Sequence, residues 1–220
     1  MSVFRTKRME ALKDFPGYTD QLGLAERTAP EKASAFFQEL MKEPFRVSGM
    51  VHRESGRDDI RNILEDNIPA SLQRDSFYEE WLTDMAEVSR LFCDIQGTDS
   101  TGFWLGSKRG CRRYHIDNVA LRMLVTYAGK GTEWLPDEAA DRQAFSRREP
   151  NEKIVKDQSA LQFMNQWDVA LFRGGPEGLF HRTPDAALNE PSILMRLDHP
   201  SFWDRVRQAE QQKQVDPVPC

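Results

Sequence analysis

The sequence has no long hydrophobic run, no closely spaced pair of cysteines and no surplus of basic residues. A helix that spans a membrane needs about 20 consecutive apolar residues, and no stretch of this chain approaches that length. The segment from Met1 to Phe15 is basic but lacks the apolar run of a signal peptide. We therefore expect a soluble, cytoplasmic protein with no membrane partner.

Cysteine is scarce, and the three cysteines, Cys93, Cys111 and Cys220, form no CxxC pair. An odd number of distant cysteines argues against a disulfide framework and fits a reducing cytoplasm. Cys111 lies four residues before His115, which corresponds to about 13 Å on an extended strand. Because one metal ion cannot be reached from both, we predict that Cys111 is a small buried residue and not a ligand.

Positive charge is also in short supply, since 30 Lys and Arg residues stand against 35 Asp and Glu residues and the net charge is −5. This balance argues against nucleic acid as the main partner, because no basic surplus is available to neutralise phosphates. Hydrophobic residues at 39% and charged residues at 30% are typical of a globular protein. At 220 residues, the chain is long enough for one domain with a sizeable core.

The first part of the chain has the periodicity of helices. Apolar residues recur every three to four positions over 31–42 and again over 58–67. A third helix begins with a capping box of Ser76 and Glu79 and ends at Gly97. Residues 45–51 alternate weakly and are a candidate strand. We predict that 1–98 is a helical N-terminal region that packs on a sheet.

From residue 101 the helical period disappears, apart from a polar insert over 137–148, and short apolar runs alternate with Gly, Pro and Asp. Eight such runs occur, at 101–107, 112–117, 121–128, 133–135, 160–164, 169–172, 178–182 and 193–197. Short, closely spaced strands are typical of a sandwich or jelly roll. We predict an α+β fold with a jelly-roll, metal-binding core over 99–200 and a C-terminal helix and tail over 201–220.

Histidine is rare as well, with four residues in the chain, and one of them belongs to the motif His115-Ile-Asp117. Side chains alternate faces along a strand, so His115 and Asp117 project from the same side. His181 precedes the last strand, and a roll places its first and last strands side by side. Two histidines and one carboxylate form a facial site that leaves positions open on Fe(II). We predict that these three residues bind a metal ion; the alternative is a core histidine at 115 and a loop histidine at 181.

Two arginines stand inside apolar strand patterns. Arg196 lies within 193–197 and Arg122 within 121–128, and a buried arginine requires a partner. A guanidinium binds a carboxylate through a bidentate fork, so we predict that Arg196, or Arg122 with the hydroxyl of Tyr127, binds the carboxylate of a keto-acid cosubstrate. The alternatives are edge-strand arginines that face water, structural salt bridges and a core tyrosine.

Residues 111–198 resemble the 2-oxoglutarate/Fe(II) dioxygenase superfamily, in particular its prolyl-hydroxylase-like members. The resemblance is carried by His115-Ile-Asp117, Arg122-Met-Leu-Val-Thr-Tyr127, Trp167-Asp-Val-Ala-Leu-Phe172 and Leu179-Phe-His181-Arg-Thr-Pro184. More closely, the order of these motifs, with Gly131-Thr-Glu-Trp-Leu135 between them, is similar to that of a bacterial family catalogued as domain of unknown function 1826 (DUF1826).

The resemblance implies a double-stranded β-helix, with Fe(II) held by His115, Asp117 and His181 and with 2-oxoglutarate as the cosubstrate. In the superfamily a basic residue usually opens the last strand, and that position falls near Ser192 in this chain. The resemblance also implies a substrate, a small molecule or a peptide, that no motif specifies.

Two other functions stay open. A zinc-binding protein for metal homeostasis or sensing fits the same fold, since Zn(II) also binds three such ligands and outcompetes Fe(II) in intrinsic affinity. The helical region would instead carry the function if the protein were a metal-free interaction module.

Overall fold

The computed structural model describes residues 3–202, and these residues form ten strands and seven α-helices. The strands are β1 (Val3–Thr6), β2 (Leu22–Ala25), β3 (Arg46–His52), β4 (Ser100–Gly106), β5 (Leu121–Ala128), β6 (Glu133–Leu135), β7 (Gln162–Phe163), β8 (Val169–Arg173), β9 (Phe180–Arg182) and β10 (Ile193–Asp198). The α-helices are α1 (Ala33–Leu40), α2 (Gly56–Leu64), α3 (Ala70–Gln73), α4 (Ser76–Gln96), α5 (Arg142–Ser146), α6 (Asn151–Ile154) and α7 (Asp185–Asn189). Short 3-10 helices cover Met9–Gly17, Asp137–Ala139 and Gln158–Ala160.

The strands form two sheets. The larger sheet has seven strands in the order β1-β2-β8-β5-β10-β4-β3, and the smaller sheet has three in the order β7-β6-β9. The last strand, β10, pairs antiparallel with both β4 and β5. An isolated bridge between His115 and His181 adds a short extended segment to the free side of β9. The chain contains both helices and strands, and the strands form two sheets, which confirms the α+β class that the sequence predicts.

Three hydrophobic clusters hold these layers together. The largest cluster lies between one face of the large sheet and the N-terminal helices, and it includes Phe37, Trp81, Phe103 and Val125. Full burial of a side chain of this size stabilises the fold by about 1.5–3 kcal/mol, so this face anchors the sheet. The segment 1–98 therefore supports the sheet whose other face carries the candidate site.

The other two clusters lie on either side of the small sheet. The inner one contains side chains of both sheets, among them Leu124, Trp134, Phe172 and Leu194. The outer one covers the opposite face of the small sheet with residues of the insert, such as Ala139, Ala144 and Ile154. The insert therefore packs behind the small sheet.

Helix α4 shows how the sequence forms one of these elements. Its apolar residues recur at helical spacing, and Phe77, Trp81, Met85, Val88 and Phe92 are all buried. Gly97 ends the helix in the left-handed conformation, with φ 65°.

The predicted capping box at the start of α4 is wrong. The cap is Asp75, whose side chain accepts a hydrogen bond from the Phe77 N–H, and Ser76 is the first helical residue. Glu79 instead pairs with Arg61 at 2.7 Å. An aspartate one residue earlier serves the same free N–H groups, so the correction shifts the helix start and leaves the helix in place.

The structure differs from the predicted strands in two places. Residues 1–98 are not purely helical, because they supply the unpredicted strands β1 and β2, with β2 paired to β8. Strand β3, which pairs with β4, matches the candidate strand over 45–51. Strand β2 is buried at all four positions, so it carries no alternation that a pattern search would find. The expected strand over 112–117 is reduced to the single bridge at His115.

Cys111 is exposed, so the prediction that it is a small buried residue is wrong. No helix in residues 3–202 is long and apolar enough to cross a membrane. From residue 203 onward, the predicted C-terminal helix and tail lie outside the described residues.

Candidate metal centre

Two short backbone segments hold the two histidines side by side. His181 is the middle residue of β9, and His115 lies opposite it. The His115 N–H donates to the His181 carbonyl at 3.0 Å, and the His181 N–H donates to the His115 carbonyl at 3.1 Å. This reciprocal pair fixes both backbones, so the two rings lie with their centroids 4.3 Å apart.

Asp117 is held by a tight turn two residues after His115. Its carbonyl accepts a hydrogen bond from the Gly175 N–H at 2.9 Å. At Gly174 an added Cβ would lie 2.4 Å from the Asp117 carbonyl oxygen and 2.1 Å from that of Val119. Glycine is therefore required at 174 for the backbone to approach this closely, and this contact sets the position of Asp117.

The three predicted ligands come together in the structure. The His115 Nε2 lies 3.9 Å from Asp117 Oδ1, and the His181 Nε2 lies 3.4 Å from Asp117 Oδ2. One potential donor atom from each residue lies within 4.8 Å of the other two. Asp117 and His181 are buried, whereas the His115 side chain is 32% exposed. The site is therefore closed on one side and open to a pocket on the other.

Both rings are oriented by backbone carbonyls. The Nδ1 of His115 lies 3.1 Å from the Arg113 carbonyl, and the Nδ1 of His181 lies 3.1 Å from the Leu179 carbonyl. Because a carbonyl only accepts, each Nδ1 carries the proton and each Nε2 keeps its lone pair. Burial lowers the pKa of His181 to about 4, so the ring is neutral at pH 7. Metal-binding histidines are commonly oriented in this way.

The carboxylate of Asp117 is satisfied at one oxygen only. Arg122 Nη1 donates to Oδ1, while Oδ2 is buried and has no hydrogen-bond partner among residues 3–202. A buried anion that faces a histidine lone pair is costly, since neither group supplies a proton. A cation between the three donors removes this cost, so the residues present fit a metal ion.

Behind Asp117, charges of alternating sign continue along two strands. Arg122 on β5 donates to Asp198 Oδ1 at 2.7 Å, and Arg196 Nε on β10 lies 2.9 Å from Asp198 Oδ2. Asp198 is fully buried, so the Coulomb attraction in both ion pairs is less screened by solvent than in surface pairs. The two arginines predicted to bind a cosubstrate thus share one structural carboxylate.

A pocket of about 150 Å³ adjoins the two histidines. Its walls include His115 and His181, the apolar side chains of Trp104, Leu124 and Leu194, and the exposed Cys111. Five cationic residues also line it, namely Lys108, Arg109, Arg122, Arg182 and Arg196. A void of about this size holds a ligand such as benzene in other proteins, and the charge of these walls favours an anion.

Tyr127 is not part of this pocket, and its predicted contact with a cosubstrate is wrong. Its ring is buried against Phe37 and Trp81, and its hydroxyl donates to Asp84 at 2.8 Å. Tyr127 lies five residues after Arg122 on the same strand, and an odd separation places two side chains on opposite faces. It is the core tyrosine that the sequence left as an alternative.

Ser192, where the resemblance places a basic residue, is fully buried and does not line the pocket. Its N–H donates to the Ser107 carbonyl at 3.1 Å. Three residues of the site were not foreseen, namely Asp198, Arg109 and Thr132. Asp198 carried a weak signal, as an acid in an otherwise apolar strand pattern; Arg109 and Thr132 carried none.

Fold and site together define a two-sheet α+β protein with a candidate metal centre of two histidines and one aspartate. The chain belongs to the family described as "Protein of unknown function (DUF1826)", which matches residues 6–198. This confirms the resemblance noted in the sequence. No curated protein matches the chain.

The fold is similar to those of several solved structures. AviO1 from Streptomyces viridochromogenes Tue57 is 13% identical, with a TM-score of 0.40 over 91% of this chain and 97% of that chain. An oxidoreductase of the 2OG-Fe(II) oxygenase family from Burkholderia pseudomallei is 12% identical, with a TM-score of 0.40 over 90% and 94%. EctD from S. alaskensis with bound Fe is 15% identical, with a TM-score of 0.41 over 87% and 75%. These similarities are too remote to transfer a function.

Proposed function

We propose that this protein is an Fe(II)- and 2-oxoglutarate-dependent dioxygenase. The observation that carries the proposal is the convergence of two histidine lone pairs with the unpartnered Oδ2 of Asp117, beside a small cationic pocket. Two histidines and one carboxylate with open positions are typical of non-haem Fe(II) oxygenases.

The strand order supports a double-stranded β-helix as the framework. Along the chain, β4, β5, β8 and β10 belong to the large sheet, while the His115 segment, β6, β7 and β9 belong to the small side. In space β10 separates β4 from β5, and β9 separates the His115 segment from β6. Each sheet thus interleaves early and late strands, as a jelly roll does, and this brings His115 beside His181.

In this proposal His115 and His181 hold the metal through Nε2, and Asp117 holds it through Oδ2. When bound, Fe(II) and the keto acid supply the chemistry of O2 activation. Arg122 orients the Asp117 carboxylate, and the two backbone carbonyls fix both rings through their Nδ1–H groups. Trp104, Leu124 and Leu194 limit the access of water, and the cationic wall favours a carboxylate ligand.

Absorption spectroscopy tests the proposal directly. Anaerobic addition of Fe(II) and 2-oxoglutarate to the metal-free protein is expected to give a weak visible charge-transfer band. His181→Ala should abolish the band, because it removes one Nε2 donor. His52→Ala is the matched control, since His52 is exposed and pairs with Asp59, and it should leave the band unchanged. Absence of the band in the unaltered protein would contradict the proposal.

A second candidate is a non-redox zinc protein of metal homeostasis or sensing. The observation that favours it is the exposed thiol of Cys111 in the wall of the same pocket, because thiolate is a preferred ligand of Zn(II). Metal analysis of protein purified without an affinity tag separates the two. Bound zinc, lowered by Cys111→Ser, together with no succinate formed from 2-oxoglutarate would favour the zinc protein over the dioxygenase.

A further inference from the structure

Arg109 differs from the other arginines of the pocket in what it contacts. Its Nη1 donates to the Lys130 carbonyl at 2.9 Å and its Nη2 to the Thr132 hydroxyl at 2.7 Å. Both acceptors are neutral. The Nε of Arg109 is buried and has no hydrogen-bond partner among the described residues. The Nε donor of this half-buried side chain is therefore shielded from water and unused.

The remaining pocket arginines are compensated by carboxylates of the chain. Arg122 binds both Asp117 and Asp198. Arg182 donates to Glu133 at 2.7 Å, and Arg196 pairs with Asp198 at 2.9 Å. A carboxylate ligand would have to compete with these acids for those three side chains. At Arg109 it would meet no such competitor among residues 3–202.

Burial of an uncompensated guanidinium is unfavourable, and it lowers the pKa of Arg109 to about 10. The side chain still carries its charge at pH 7, so an anion that enters the pocket gains a strong interaction. The planar fork of arginine also suits a carboxylate better than a lysine would. Thr132 is buried beside it, and because its oxygen accepts from Arg109, its O–H is left to donate to a ligand.

The loop that carries Arg109 is fixed at its base. The Ser107 N–H donates to the Phe45 carbonyl at 3.0 Å, and the Ser107 carbonyl accepts from the Ser192 N–H at 3.1 Å. These bonds tie the end of β4 to the residue before β3 and to the residue before β10. The guanidinium is thus held in the same pocket as His115 and His181.

We propose that Arg109 and Thr132 form a carboxylate subsite, so that the pocket takes a short 2-oxo dicarboxylate with one end at the metal ligands and the other at Arg109. The inference deepens the proposed function and rests on it, because the keto-acid end needs the metal centre. It assigns the distal carboxylate to Arg109 and leaves Arg122 and Arg196 as partners of Asp198.

Calorimetric titration of the Zn(II)-loaded protein tests this subsite without turnover. The probes are 2-oxoglutarate and 2-oxobutyrate, which share the 2-oxo acid group but differ in the distal carboxylate. The unaltered protein should bind 2-oxoglutarate about tenfold or more tightly than 2-oxobutyrate. Arg109→Gln should lower the affinity for 2-oxoglutarate by about tenfold or more. The affinities for 2-oxobutyrate and for Zn(II) should stay within about twofold of those of the unaltered protein.

Three further variants control this experiment. Arg112→Gln removes an exposed arginine of the same loop and should change neither affinity. Arg109→Lys keeps the charge without the fork and should recover part of the loss. Thr132→Val removes a hydroxyl at nearly constant volume and should lower the affinity for 2-oxoglutarate several-fold. This variant keeps the subsite testable if Arg109→Gln does not fold.

The outcomes separate the two proposals. Equal binding of 2-oxoglutarate by the unaltered protein and Arg109→Gln would overturn the subsite and leave the dioxygenase proposal in place. Equal affinity of the unaltered protein for 2-oxoglutarate and 2-oxobutyrate would also overturn the subsite and leave the dioxygenase proposal in place. A protein that holds Zn(II) but binds neither acid would overturn both.

Discussion

Asp117 is the residue on which the candidate metal centre depends most. One of its oxygens is held by Arg122, and the other faces the Nε2 of His181 at 3.4 Å with no proton between them. The arrangement is unfavourable without a cation, since two lone-pair donors are buried against each other. A carboxylate placed in this way would favour metal binding and would destabilise the metal-free protein.

Asp117→Asn is therefore expected to separate metal affinity from folding. The amide can donate to the His181 lone pair, so the free energy of unfolding of the metal-free protein should change by less than about 2 kcal/mol. The affinity for Zn(II) should fall by about 100-fold or more, because a charged ligand is lost. Chemical denaturation and metal titration measure the two quantities.

Asp185→Asn provides the control for this variant, since Asp185 is an exposed partner of Arg182 and lies outside the metal ligands. It should leave the affinity for Zn(II) unchanged. Retention of full metal affinity by Asp117→Asn would show that Asp117 is not a ligand.

At the scale of elements, the site is built from segments that have little regular structure of their own. His115 and Asp117 lie between strands β4 and β5, and His181 lies on a strand of three residues. Their positions come from tertiary contacts, namely the His115–His181 bridge and the close approach of Gly174 to the turn at Asp117. The sequence predicts a strand over 112–117 because its residues favour extended backbone, but the chain pairs there at a single residue.

Gly174→Ala tests the role of this turn. The added methyl group would lie 2.1 Å from the Val119 carbonyl oxygen, so the turn must move, at a cost of about 1–3 kcal/mol in the free energy of unfolding. Because Asp117 moves with it, metal affinity should fall as well. Thermal unfolding with and without Zn(II) reports both effects.

Gly110→Ala is the matched control, since an added Cβ at Gly110 meets no atom within 4 Å although the residue lines the same pocket. It should change neither stability nor metal affinity by a measurable amount. Equal behaviour of the two alanine variants would contradict the assignment of Gly174 as the residue that positions Asp117.

On the scale of the whole molecule, the largest hydrophobic cluster and the candidate metal centre lie in different parts of the fold. The largest hydrophobic cluster lies between the helices and the outer face of the large sheet, whereas the metal ligands lie beside the small sheet. The stabilisation from burying this cluster does not require a bound ion. The fold is therefore expected to be stable without a metal ion at the candidate centre.

Removal of metal is accordingly expected to leave the protein folded. In excess chelator the circular dichroism spectrum should match that of the loaded protein. Free Zn(II) at 100 times its Kd should raise the free energy of unfolding by about 2.7 kcal/mol, and His181→Ala should abolish this increase. Loss of structure in chelator would contradict the expectation, while a folded protein with no response to metal would favour an interaction module without a metal.

The sequence by itself determined the α+β class, the long helix α4 and the choice of donor residues. These features depend on local properties, namely the period of apolar side chains and the chemistry of His115, Asp117 and His181. Such properties can be recognised in the sequence without knowledge of the fold. The face on which Tyr127 lies also follows from the sequence, since a separation of five residues from Arg122 along one strand places the two side chains on opposite faces.

Only the tertiary structure decided which charges are already paired. Asp198 compensates Arg122 and Arg196, and Glu133 compensates Arg182, whereas Arg109 meets only neutral oxygens among residues 3–202. Coulomb energy depends on the distance between charges in space. Arg196 and Asp198 lie two residues apart on β10, but the partners of Arg122 and Arg182 come from strands that are far apart along the chain, and no spacing rule could have found those.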